Sequence, residues 1–401
     1  MLSAAASRYA AFFRLPDVKR LMVTVLIARM PIGTVNLAML LHVHAITGSF
    51  TSAGAAVGVC LVASAITAPI IGRWVDRRGA RAVLVATGCV YPAALALVWA
   101  ARPLALSVAG IFACTAFAGA FTPPIAVLTR TMWRHRFDDD HLRRTAYALD
   151  SVLIEFVFVA GPALVAFLLA VGSPAVAFGA AFVFGTLAVP VFAASPALRY
   201  LQREPHATRR LLGPLADTKL LRVYAAIVLL AAALGLIEVG YPGFATFAGE
   251  PPLAGILLAL NAAGSAVGGL VYGGLHVAPP LEAQLRRLLA LVAAALALQA
   301  LVHTPLVLMA FAFIAGISIA PTLTVTSMLI ASAAPARYAT EAFTWASTSI
   351  VAGLGAGNAA GGALLQHFGP APVFAASATV AAVAALGARL LPIPSSQPSP
   401  P

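Results

Sequence analysis

Gly72-Arg73-Trp74-Val75-Asp76-Arg77-Arg78-Gly79-Ala80-Arg81-Ala82-Val83 is a short charged turn between two apolar runs, 52–72 before it and 82–101 after it. Each run is close to the roughly 20 apolar residues that a helix needs to cross a bilayer. The stretch therefore reads as two membrane-spanning helices joined by a tight basic connection. Gly72 and Gly79 let the backbone turn sharply and approach its neighbours closely, and Asp76, at a helix end, is suited to cap another helix N-terminus and to attract arginines.

The same pattern runs through the whole chain. Its 401 residues are 61% hydrophobic and 9% charged, with mean hydropathy +0.95, whereas soluble domains are about 45–50% apolar and ~25% charged. A water-soluble protein is excluded. Runs such as Ile227 to Leu236 and Leu288 to Leu298 lack the alternation of a barrel strand, so the spans are helical. Apolar runs predict twelve of them, near 21–43, 52–72, 82–101, 104–129, 147–171, 175–194, 223–245, 252–273, 288–304, 306–332, 342–365 and 372–390. So many spans leave no room for an extramembrane enzyme domain. The chain divides into an N-terminal segment (1–20), a first six-helix bundle (21–194), a linker (195–222), a second bundle (223–390) and a tail (391–401), with no signal to be removed before residue 20.

A net charge of +12 would suit a nucleic-acid binder, but its placement argues for topology. With the N-terminus inside, 23 of the 25 basic residues fall on one side of the twelve spans, leaving Arg102 outside and Arg29 within a span. Such an asymmetry follows the positive-inside rule and places both termini in the cytoplasm. Cys60, Cys89 and Cys114 lie in apolar runs at no metal-ligand spacing. No phosphate-cradling loop or catalytic constellation appears, so we expect no enzyme, metal, cofactor or nucleic-acid partner.

The two halves repeat. At an offset of 196, Ala146–Phe178 aligns without gaps on Ala342–Phe374, and 11 of the 33 positions are identical, among them Ser151/Ser347, Gly161/Gly357, Pro174/Pro370 and Phe178/Phe374. Parallel halves related by an axis along the membrane normal describe a secondary transporter with its site at their interface near the midplane.

The turn at 72–83 resembles the signature of the major facilitator superfamily, in which a glycine, three variable residues, an aspartate, a basic residue, any residue, a glycine and two basic residues join helices two and three. Gly72, Asp76, Arg77, Gly79 and Arg81 match, and Ala80 departs. The resemblance implies an all-α fold of twelve transmembrane helices in two pseudo-symmetric bundles, working as a monomer on a small-molecule substrate. It further implies a latch, with Asp76 facing the start of span eleven around Thr340 to Phe343. Gly161-Pro162 is similar to part of the antiporter motif of drug and proton exchangers in this superfamily. The arginine such exchangers often carry along span four is missing between Leu104 and Thr129.

Charges at membrane depth are functional candidates because each costs a few kcal/mol there. Arg29 and Glu155 both lie about 12 Å along their helices from the inner side. They are expected to pair, either permanently or with one released to bind substrate while Glu155 takes a proton. Arg29, Gly33 and Asn36 share one face, beside Pro31, and read as a cavity wall, as do Ser151 and Glu155 in span five. Asp150 is nearest the inner mouth, where Arg143 or Arg144 is its expected partner. Glu238, near Tyr241 and Pro242, is placed close to the outer surface as a gate, a second protonation site or a solvated carboxylate. Asn261, Ser265, Thr326 and Ser347 supply mild polarity in the second half, and Gly353, Gly357 and Gly361 form a small-residue packing stripe. A single intramembrane arginine fits an amphipathic or cationic solute better than a phosphate ester. The expected activity is proton-coupled efflux across a bacterial inner membrane; uptake of a nutrient by symport and a non-transporting receptor are the alternatives.

Overall fold

The computed structural model describes residues 9–201, 213–250, 253–275, 279–302, 304–335 and 338–391. The expected N-terminal segment up to residue 8, the centre of the linker (202–212) and the tail from 392 onward lie outside them. Among the described residues there is no strand, and fourteen long helices follow one another: α1 Val18–Thr47, α2 Phe50–Arg78, α3 Ala80–Trp99, α4 Val108–Ala120, α5 Ile125–Arg136, α6 Asp140–Val171, α7 Pro174–Ala193, α8 Thr218–Phe247, α9 Leu253–Gly274, α10 Leu281–Gln299, α11 Pro305–Ile317, α12 Ile319–Ala333, α13 Ala339–Phe368 and α14 Pro370–Gly387. The pairs α4/α5 and α11/α12 each make one span, because Pro123-Pro124 and Pro321 interrupt the backbone hydrogen-bond ladder at matching places.

Eleven spans among the described residues are long and apolar enough to cross a membrane. The twelfth, α10, carries Glu282, Arg286 and Arg287 in its first two turns and packs against α14, α12 and α11. Val62, Ile66 and Ile70 form an exposed stripe at every fourth position of α2, which in water would be a liability and in lipid is the outer wall of the bundle. Several helices outrun their hydrophobic runs at the end where basic residues gather. The helix of span four continues to Arg136 rather than stopping near 129, and α6 begins at Asp140 rather than 147.

The repeat is visible in packing. Gly161 on α6 lies so close to Gly33 on α1 that an added Cβ would come within 2.5 Å of its carbonyl carbon, and Gly357 on α13 is likewise 2.1 Å from the Ala232 carbonyl oxygen on α8. Within the first half α1 packs on α6 and α7, and within the second α8 packs on α13 and α14. The halves meet through α2 and α5 with α13, and through α6 with α9 and α12. Near the basic end one apolar core runs through both, with Tyr147 and Phe343 in ring contact at 6.1 Å. At the far end the first half has a separate core around Met39, Tyr91, Leu95 and Phe178, with no member from the second half. The two bundles are thus closed on each other at the basic end.

Candidate functional site

The charged groups are arranged around α6. Asp150 and Glu155 are five residues apart, which turns them about 140° from each other around the helix. Asp150 faces the first half: Arg29 Nη2 is 2.8 Å from Asp150 Oδ1, Arg130 Nε is 3.4 Å from Oδ2, and Arg29 also donates to the carbonyls of Asp150 at 3.4 Å and Ala126 at 3.3 Å. Side-chain exposures of 0% for Arg29, 1% for Asp150 and 7% for Arg130 make this a fully desolvated cluster, two cations on one anion. Tyr147 Oη donates to the Arg130 carbonyl at 3.3 Å and fixes that turn.

The expected Arg29–Glu155 pair is therefore corrected to Arg29–Asp150. Counting residues along each helix says nothing of rotation about its axis, and Arg29 meets the carboxylate on the side of α6 that faces α1. The expected partners of Asp150 are corrected too, since Arg143 bonds Asp140 and Arg144 lies over the Tyr272 ring.

Glu155 faces the other way, into the second half, where Ser265 Oγ on α9 donates to its Oε1 at 2.9 Å. Glu238 on α8 is exposed and accepts a hydrogen bond from Asn358 Nδ2 at 3.4 Å. Two carboxylates from opposite halves are thus engaged by a hydroxyl and an amide of the second half. Such a set is able to hold a proton or a cationic group.

The remaining cavity candidates are placed elsewhere. Gly33 is buried against Val157 and Gly161, so the face it shares with Arg29 is the α1–α6 contact rather than a cavity wall; Asn36, further along, is half-buried. Ser151, Thr326 and Ser347 donate to carbonyls of their own helices at Tyr147, Leu323 and Phe343. Asn261 donates to the Ala312 carbonyl at 3.0 Å, within the second half. Pro162 sits inside α6 beside the Gly161 contact, and Gly353 and Gly361 pack on α8 as Gly357 does.

At the basic end Asp76 accepts hydrogen bonds from the backbone N–H groups of Thr340 at 3.2 Å and Glu341 at 2.9 Å. It thereby caps α13 from the opposite half, where the first-turn amides have no intrahelical partners. Gly72 makes the approach possible, because an added Cβ would lie 2.4 Å from Thr344 Oγ1. Gly79, at φ 85°, ends α2 in a backbone conformation that disfavours other residues. Arg73 Nε is 2.7 Å from Glu341 Oε1, whereas Arg77 and Arg81 are exposed.

Arg73, Arg130 and Glu341 are the groups that sequence reasoning did not single out, while Arg144, expected beside Asp150, is placed against Tyr272. Arg73 stands at a variable place of the turn, but its spacing of three from Asp76 puts both on one helix face, and that signal was available. Arg130 and Arg144 lie just beyond the hydrophobic runs, in helix that hydropathy does not detect.

Residues 21–302 match the profile of the Major Facilitator Superfamily, and the chain belongs to that family of membrane transporters. No curated protein sequence matches it significantly. Its fold is similar to that of a bacterial homologue of the iron transporter ferroportin in an outward-facing state, at TM-score 0.76 and 13% identity over 94% of this chain and 98% of that one. It is also similar to the human organic anion transporter MFSD10, at TM-score 0.70 and 16% identity over 93% and 100%. The E. coli fucose:proton symporter aligns at TM-score 0.72 and 11% identity over 92% and 98%. At these identities the likeness concerns the fold alone.

Proposed function

We propose that the protein exports an amphipathic, drug-like organic solute across a bacterial inner membrane in exchange for protons, with its basic end and both termini in the cytoplasm. The observation that carries this reading is the contact of Glu155 with Ser265, a carboxylate from one half bonded by a hydroxyl from the other. An ionised carboxylate strengthens that bond, and protonation weakens it. Loading Glu155 with a proton from the far side would therefore loosen a link that the halves must remake as they rock. Glu238 stands on the approach to it.

Everted vesicles with an acid interior provide the test, recording proton release from the lumen when a panel of lipophilic drugs and dyes is added. Release by the wild type and not by Glu155→Gln, with the variant still folded and exchanging solute, is the expected result. Undiminished release by Glu155→Gln would overturn the proton-site assignment. Absence of release from any pool, alongside accumulation of solute by whole cells, would replace export with symport.

A further inference from the structure

Arg144, on α6 one turn nearer the basic end than Ala148, is 6% exposed, and its Nε and Nη1 atoms have no hydrogen-bond partner among the described residues. Its guanidinium lies 5.6 Å from the centroid of the Tyr272 ring, across the boundary between the halves. Arginine does not shed its proton in a protein, so this is a permanent cation held out of water. The described acids of α6 and of the basic-end contact between the halves are engaged elsewhere. Asp150 serves both Arg29 and Arg130, Asp140 bonds Arg143, Glu341 pairs with Arg73, and Asp76 caps α13. Arg144 thus has no carboxylate partner among the described residues, a cation buried where α6 meets α9.

Separation of the halves at the basic end breaks the Arg144–Tyr272 contact and the neighbouring hydrogen bond from Thr145 Oγ1 to the Gly273 carbonyl. Arg144 then faces the water-filled vestibule that opens between the halves, where low-dielectric surroundings focus its field. We infer that this vestibule is an anion-recognition site, in which Arg144 takes the carboxylate, sulfonate or phosphate group of the transported solute. The inference rests on the alternating-access reading above and narrows its amphipathic solute to one bearing an acidic group. The direction is consistent: a negative interior drives an anion outward, and ionised Glu155 and Glu238 favour its release from the far side.

The site is tested in Asp76→Ala protein, whose latch is released, in nanodiscs of neutral phosphatidylcholine so that no anionic headgroup competes. The probes are p-toluenesulfonate and a cation of similar size, benzyltrimethylammonium, read by the shift in melting temperature, while a cysteine introduced at Thr145 reports opening by its reactivity. Toluenesulfonate is expected to stabilise the protein and the ammonium ion is not. Arg144→Gln should weaken toluenesulfonate binding by about tenfold or more, Arg144→Lys should restore part of it, and Arg287→Gln, an exposed arginine, should leave it unchanged. Because Arg144→Gln removes an unpaired buried cation, the unliganded melting temperature should not fall; a fall, with binding unaltered, assigns Arg144 a structural role and overturns the site. Preference for the ammonium ion, or equal binding by Arg144→Gln, also overturns it. An unreactive thiol at position 145 overturns alternating access and the vestibule together, whereas a reactive thiol without toluenesulfonate binding overturns the vestibule alone.

Discussion

At Asp150 one carboxylate serves two guanidinium groups, 2.8 Å from Arg29 and 3.4 Å from Arg130, in surroundings that exclude water. Removing its charge leaves two cations buried with nothing to offset their desolvation, and breaking such a cluster costs about 3–5 kcal/mol. Asp150→Asn is therefore expected to unfold well below the wild type in a thermal-stability assay. Adding Arg29→Met to Asp150→Asn should recover most of the loss, because one cation and its unpaired nitrogens go with it. Glu155→Gln should behave differently: an amide oxygen still accepts from Ser265 Oγ, so stability holds while proton coupling is lost. Two carboxylates on one helix are thereby separated into a structural and a functional role by a single readout each.

Between elements, glycines and a cap set the contacts. On α13, Gly357 faces the Ala232 carbonyl oxygen at 2.1 Å from a would-be Cβ, while Gly355, two residues earlier, has open space. Gly357→Val must push α8 and α13 apart and should cost more than the roughly 1–3 kcal/mol of ordinary overpacking. Gly355→Ala should be neutral or stabilising by about 0.5–1 kcal/mol, since alanine gives up less freedom in a helix. Melting temperatures of the two variants side by side check the contrast. Asp76→Ala acts on an equilibrium rather than on the fold: loss of a cap is worth about 1 kcal/mol, enough to move a two-state population about fivefold. It should raise the reactivity of cysteines placed at the basic end and leave the melting temperature of the bundles nearly unchanged.

For the whole molecule, closure at one end and separate cores at the other imply that turnover requires the basic end to part. Arg134 donates from α5 to the Ala334 carbonyl in the other half. An Arg134→Cys/Ala334→Cys protein joined by a short bismaleimide is expected to lose solute flux, while each single variant treated with the same reagent retains it. Flux that persists in the joined protein would mean that the halves do not part there. Most of this architecture is legible in the sequence. Hydropathy gives the spans, the offset of 196 gives the two halves, and the turn at 72–83 gives the latch, with Asp76 bonded to the amides of Thr340 and Glu341. Less of the site is legible, because Gly33, Ser151, Thr326 and Ser347 have the composition of a cavity wall and are spent on helix packing or on carbonyls of their own helices.

The sequence by itself determined that this is a membrane protein of two repeated helical bundles, because insertion into lipid depends on composition summed along the chain, and composition is what a sequence displays. Only the tertiary structure decided which charge meets which. Rotation of a helix about its axis is set by packing against neighbours on all sides. A difference of five residues then sends Asp150 to Arg29 and Arg130, and Glu155 across to Ser265. Helix that continues past the hydrophobic run, carrying Arg130 and Arg144 into the protein, escapes hydropathy for the same reason: what shelters those arginines is other helices, not their own sequence.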